Sequence, residues 1–277
     1  MDARTLFASP HSHAYIKLAV IAVLCLASLV PLQSIRSLIA ERQQNGAVAA
    51  EEIAHAWGGE QRLIGPILIV PYSIGARQGE QGWVSTEADK YLFMLPETLR
   101  AEAETQTQIR HRSIYESVVY GAEVSLQGQF TLPDLAELGI AGDALAWQDA
   151  RLDIMVSDLA NIVDVREARW GDSELVFHVP HAARDTVSAA LPGDASAGPL
   201  DFSLTLDIRG SGSIGFLPIG ARTEVAIAAD WPHPSFAAPH LPASTTITDD
   251  GFSGAWQISR FARALPQAWS SDVDTAE

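Results

Sequence analysis

The sequence predicts a mainly β fold: an N-terminal transmembrane helix, then a β-rich, sandwich-like domain with short helices. Three observations predict it. One apolar run near the N-terminus, LAVIAVLCLASLVPL (Leu18–Leu32), carries no charge. The residues after it fall into short segments punctuated by Gly and Pro. Several of those segments alternate apolar and polar side chains, the period of a half-buried strand.

The apolar run is bounded by Lys17 and Arg36. The uncharged window between them is about 18 residues, close to the minimum for crossing a bilayer. A cleaved signal peptide would need small residues at −3 and −1 beyond the apolar core. Gln33, Ser34, Ile35 and Arg36 stand there instead, with Pro31 just before them. A lipoprotein signal would need a small residue before Cys25, where Leu24 stands. An uncleaved anchor is the reading these residues favour over a cleaved signal or a buried soluble helix. Charge does not orient it, because Arg4 and Lys17 before the run balance Arg36 and Arg42 after it.

Beyond the anchor, residues 33–57 read as one helix continuing from it, with Glu51, Glu52 and His55 in one stretch. About 235 residues lie beyond residue 42, the length of one large domain or two small ones. Arg62–Ile74 is an apolar β-rich run broken by Gly65-Pro66 and Pro71. Lys90–Pro96 holds a brief strand. Ser113–Leu132 alternates with a break at Gly121, which predicts two paired strands. Pro133–Ile140 is a short helix or turn, and 182–200 a small-residue surface loop. Phe202, Leu204, Leu206 and Ile208 share one strand face. A turn at Gly210-Ser211-Gly212 and a second strand follow. Arg222–Trp231 alternates again, and Gly251–Ser259 is a late strand. Strands at this spacing argue for a sandwich. The chain after Pro266 reads as a frayed tail.

Residues 1–42 hold four basic and two acidic side chains, against a net charge of −16 for the whole chain. The remainder is therefore strongly acidic, which repels nucleic acid and anionic surfaces and excludes DNA or RNA as a partner. A single cysteine excludes an intramolecular disulfide and leaves the redox compartment open.

No motif assembles a recognisable reaction centre. Gly58-Gly59-Glu60-Gln61 lacks the lysine and hydroxyl of a phosphate loop. It reads as a helix C-terminus in which Gly58 or Gly59 takes the left-handed cap conformation. Trp57 then packs where helix meets strand, or near the bilayer surface. His178 and His181 have H-x-x-H spacing, but Pro180 forbids a regular helix between them and only Glu174 is near as a third ligand. Asp249-Asp250 and Glu51-Glu52 are adjacent in sequence and point apart. No G-x-S-x-G elbow is present. In WPHPSF (Trp231–Phe236), two prolines fix the backbone and Trp231 supplies a large anchor with one donor. That makes a rigid corner after a strand: a core-plugging turn, or a platform for a ligand or docking partner. Trp57, Trp231, His233 and Phe236 are the candidate interaction residues. No catalytic, cofactor-binding or metal-binding residue is assigned, and no cofactor is expected.

Several blocks, in order, carry a family resemblance. They are ERQQ (Glu41–Gln44), EIAHAWGGEQRLIGPILIVPY (Glu52–Tyr72), FMLPETL (Phe93–Leu99) and RHRSIYESVVYGAEVSLQGQF (Arg110–Phe130). GSGSIGFLPIGARTEV (Gly210–Val225), WPHPSF, HLP (His240–Pro242) and GFSGAWQISRFARALPQ (Gly251–Gln267) complete the run. Across residues 36–268 the chain resembles the CreD family of bacterial inner-membrane, cell-envelope proteins. The resemblance implies a cytoplasmic N-terminus (1–15), a transmembrane anchor (16–35) and a juxtamembrane helix (36–60). A β-rich periplasmic domain (61–268) and a tail (269–277) follow. It also implies a role in envelope integrity and envelope stress, including β-lactam exposure. Family members continue into further transmembrane helices, so it implies a truncated or fragmentary member. The expectation is a non-enzymatic structural or interaction protein whose partners are the lipid bilayer and other envelope proteins or peptidoglycan. The alternatives are a periplasmic glycan- or peptide-binding module and, behind it, a hydrolase.

Overall fold

A computed structural model describes residues 10–73, 77–79, 82–84, 90–112, 114–181, 183–193, 195–196, 200–237, 239–263 and 265–271. The chain divides into two compact units, Met1–Glu52 and Ile53–Glu277. The first is helix α1, which starts at Pro10, runs through Pro31 and ends at Trp57 in the second unit. In its apolar run, Leu18, Ile21, Leu24, Leu26, Leu29 and Leu32 are each half exposed or more. A core helix would bury them, so the buried-soluble-helix alternative is set aside. By length and composition the stretch between Lys17 and Arg36 suits the apolar interior of a membrane.

The second unit is built of strands. In chain order they are β1 (Gln61–Tyr72), β2 (Arg77–Gly79), β3 (Gly82–Val84), β4 (Lys90–Met94), β5 (Thr98–Arg112) and β6 (Tyr115–Gln129). Next come β7 (Arg151–Val156), β8 (Ile162–Trp170), β9 (Ser173–Glu174), β10 (Phe177–His178), β11 (Thr186–Ala190) and β12 (Asp201–Ser211). Last are β13 (Ile214–Phe216), β14 (Arg222–Ala229), β15 (Ser244–Thr248), β16 (Gly251–Ser259) and β17 (Ala268–Ser270).

Two large sheets form. The seven-stranded one runs β10-β11-β7-β1-β4-β17, with β13 parallel to β1. The eight-stranded one runs β15-β16-β14-β5-β6-β12-β8-β9. β2 and β3 pair separately. Alternation sets the faces. Phe202, Leu204, Leu206 and Ile208 of β12 are buried, while the residues between them are not. They share one core with Ala101, Val124 and Leu126 of their own sheet and with Leu68, Leu92, Leu152 and Ile154 of the other. This is the predicted sandwich. Phe130 packs in the core with its ring centroid 5.4 Å from that of Phe202 and 5.9 Å from that of Trp170. The other face of the larger sheet is charged; there Arg166 bonds Glu123 at 2.8 Å and Asp207 at 2.7 Å.

Several expectations change. Gly121 does not divide its segment: β6 is one strand of 15 residues, antiparallel to β5 along its whole length. Nothing lies within 4 Å of where a Gly121 Cβ would stand. The strand expected after Gly212 is β13, which pairs with β1 of the other sheet. Pro133–Ile140, expected as a short helix or turn, is the turn, closed by the Ile140 amide on the Leu135 carbonyl at 2.9 Å. The small-residue stretch 182–200 is not all surface loop. It contains β11, in which Val187 and Ala189 are buried, and the carbonyl of buried Ala195 accepts the Trp170 indole N–H at 3.1 Å. The tail expected from 269 begins inside a strand. β17 pairs with β4, and Trp269 stacks on Phe93 at 5.3 Å. Residues 272–277 lie outside the described residues.

Candidate interaction surface

Four strands of the larger sheet align at one of its ends. Gly210 of β12 pairs with Tyr120 of β6, and Tyr120 with Thr107 of β5. Thr107 in turn donates its amide (2.7 Å) and hydroxyl (2.8 Å) to the Asp230 carboxylate, just past β14. The candidate residues Trp57 and Trp231 both belong to this end, two strands apart.

Trp57 closes α1. Gly58 follows with φ 134°, the positive-φ turn the sequence suggested. A Cβ at Gly58 would also lie 2.8 Å from Asn161 Oδ1 and 3.0 Å from the Arg209 carbonyl, so space and dihedral both require glycine. The Trp57 indole N–H donates to the Tyr120 carbonyl at 3.3 Å. Its ring lies beneath two guanidinium groups, Arg110 at 4.3 Å and Arg209 at 5.6 Å.

From Gly58 the chain is laced to the Gly210–Ser213 turn. The Ser211 hydroxyl donates to the Gly58 carbonyl (2.8 Å) and its amide to the Gly59 carbonyl (3.1 Å). The Gln61 amide donates to the Ser213 carbonyl at 2.9 Å, and so does the Tyr120 phenol at 2.7 Å. A Cβ on Gly210 would stand 2.3 Å from that phenol oxygen, so only glycine admits Tyr120 here. Burial pushes the Tyr120 phenol well above its ordinary range. The two glycine-rich strings noted in the sequence are thus the two halves of one junction. Tyr120, which joins them, carries no sequence signal beyond its place in an alternating strand.

The WPHPSF corner lies beside the free end of β14. The Trp231 indole donates to the His233 carbonyl at 3.1 Å, and the two rings stand perpendicular with centroids 6.2 Å apart. Phe236 turns inward, edge-on to Phe252 (5.8 Å) and Trp256 (5.7 Å). Gly254 makes the room, since its absent Cβ would lie 2.9 Å from the Trp256 ring and 3.6 Å from Phe236. The Trp256 indole then holds the His240 carbonyl at 3.0 Å, pinning the far end of the loop. Phe236 is therefore an anchor, Trp231 is half-buried, and His233 is exposed. Trp231, His233 and Phe236 share this loop, whereas Trp57 belongs to the α1 junction.

At the opposite end of the same strands lies an open cavity of about 550 Å³, lined among others by Arg100, Gln127, Asp201, Ser203, Arg222 and Glu224. His178 is on β10, and His181 lies in the turn beyond it. Among the described residues, no three His, Cys, Asp or Glu side chains are grouped to hold a metal ion.

The family model described as inner membrane protein CreD matches residues 13–277. The chain belongs to the CreD family. The inner membrane protein CreD of Escherichia coli (strain K12) is 29% identical over 252 residues, covering 89% of this chain and 56% of that protein. The chain thus spans about half the length of the curated relative it matches. Among the described residues, one helix, Tyr15–Ile53, is long and apolar enough to cross a membrane. The match covers that helix and the whole β unit, so the junction at Trp57–Gln61 and the WPHPSF corner both lie inside the CreD region.

Proposed function

We propose that this CreD-family chain is an inner-membrane-anchored protein with its N-terminus cytoplasmic and its β sandwich periplasmic. It serves envelope integrity and the envelope-stress response by presenting a fixed surface to other envelope components rather than by catalysis. The observation that carries this reading is the stapled corner. Phe236 is locked against Phe252 and Trp256, which holds Trp231 and exposed His233 in one arrangement. A pre-ordered aromatic and polar surface suits recognition, because little entropy is lost on binding. The test is complementation of a deletion strain under β-lactam and other envelope stress. The intact chain restores resistance, and Trp231→Ala with His233→Ala does not, at equal membrane abundance. A deletion strain with no envelope phenotype overturns the proposal.

The open cavity between Arg100 and Arg222 favours a second reading, a module that binds a periplasmic glycan or peptide. Detergent-solubilised full chain should then be retained on peptidoglycan, and Arg222→Ala should release it. Absence of retention overturns that reading.

A further inference from the structure

The β5–β6 hairpin outruns the sheet that carries it. β12 pairs with β6 no further than Val119, and β14 pairs with β5 no further than Thr105. Beyond them, Ile109–Arg112 and Tyr115–Val118 pair with each other, as a two-stranded arm. Such an arm buries little, and its side chains show it. Ile109 is 53% exposed and Ile114, at the tip, 74%. A soluble hairpin usually guards bare apolar residues of this kind with like charge or cover. Here the flanking residues are basic. The tip reads R-H-R-S-I-Y from Arg110 to Tyr115, in a chain whose net charge is −16. Arg110 is exposed and backed by the Trp57 ring at 4.3 Å, and His111 Nδ1 lies 3.5 Å from Glu116. Trp57, the last residue of α1, belongs to the same unit as this arm.

We propose that this arm docks on the surface of the bilayer, its partner an anionic phospholipid. Ile109 and Ile114 enter the boundary between headgroups and acyl chains. Arg110 pairs with lipid phosphate while Trp57 holds its guanidinium from behind. Tyr115 takes the headgroup level, where amphipathic rings concentrate. The charge pattern selects the partner. The acidic body is repelled by an anionic leaflet, and a second copy would bring the same excess of negative charge, so the basic, apolar tip is the element matched to lipid. The proposal rests on the anchored reading above.

The test uses the full chain with Cys25→Ala, reconstituted into vesicles of phosphatidylcholine alone or with a third of phosphatidylglycerol. An environment-sensitive fluorophore is placed at Ile114→Cys and, separately, at Phe261→Cys. Phe261 is 86% exposed and lies beyond the far end of β14, near the start of β5. Headgroup-level spin-labelled lipid is the quencher. Quenching at 114 and not at 261, stronger with phosphatidylglycerol, is the expected result. Arg110→Gln should lower the docked-to-undocked ratio about five-fold in the anionic vesicles, the effect of one arginine near such a surface. Should that variant misfold, the two lipid compositions still decide. A chain that floats with the vesicles but shows no quenching at 114 overturns the docking alone. A chain that does not float overturns both docking and anchoring. Equal quenching at 114 and 261 overturns the docking. So does a signal at 114 that follows protein density instead of lipid charge, because it identifies a second copy on the arm.

Discussion

The Tyr120 phenol donates a 2.7 Å hydrogen bond to the Ser213 carbonyl, tying the middle of the longest hairpin to the turn that redirects the chain from one sheet to the other. Ser213 keeps a second donor, the Gln61 amide, so Tyr120→Phe removes one bond without orphaning the acceptor. The loss should be about 0.5–1.5 kcal/mol, the net value of one such bond. Urea denaturation of the full chain in detergent measures it.

Tyr120 also sets an alkaline limit. Burial raises its phenol above the ordinary value of about 10, so the folded chain keeps a proton that the unfolded chain releases. Its contribution is therefore complete below pH 10 and is lost as pH rises beyond it. The urea midpoint should fall above pH 10, and Tyr120→Phe should fall less steeply. Parallel slopes for the two proteins would refute this linkage.

Phe236 and Gly254 are complementary, one filling the space the other leaves. Phe236→Ala should cost about 1–3 kcal/mol, below the value for a fully buried phenylalanine because Phe236 is half-buried. Gly254→Val should be comparably harmful, since the new side chain meets the Trp256 ring. Tryptophan emission should shift to the red in both as Trp256 becomes wet. An unshifted spectrum would show that Phe236 does not cover it.

How much could be read in advance follows from what each segment had to declare. The membrane-length helix is legible because composition alone marks it. Phe202–Ile208 is legible because its large side chains alternate. β5 is not legible in the sequence, since its inward Ala101 and Ala103 alternate with Glu102 and Glu104, a composition that favours helix. It is a strand because it lies between β6 and β14, and such pairing overrides propensity. β7 alternates at Leu152, Ile154 and Val156, but over only six residues. Ala189 of β11 is fully buried yet too small to signal it. At the candidate surface, WPHPSF was readable as a rigid corner because prolines and aromatics act locally. Tyr120 and Arg110 are not, because their roles depend on residues about 50 to 90 positions away, which only long-range pairing brings together.

Trp269 and Phe93 stack at 5.3 Å with planes 11° apart, and backbone bonds flank them. The Leu95 amide donates to the Gln267 carbonyl and the Ser271 amide to the Tyr91 carbonyl, both at 2.9 Å. Trp269→Ala should cost about 1–3 kcal/mol, since the indole is half-buried. Hydrogen exchange should quicken in β4 and leave the β5–β6 hairpin unchanged. Exchange that quickens in both would mean that β17 supports the whole sandwich and not one edge.

The Trp57 ring faces two arginines at different distances, and the difference is measurable. Cation–π attraction is worth about 0.5–1 kcal/mol at exposed sites and weakens as the charge moves away from the ring. Arg110, at 4.3 Å and exposed, should couple to Trp57 near that value in a double-mutant cycle of Trp57→Leu and Arg110→Gln. Arg209, at 5.6 Å, should couple more weakly through the ring. Its Nη2 also donates to the Ala160 carbonyl, so Arg209→Gln should cost stability even when Trp57 is already replaced. Thermal unfolding of the four proteins in each cycle gives both couplings. An Arg110 coupling of zero would mean that the indole is held by the Tyr120 carbonyl and by packing, with the guanidinium merely lying over it.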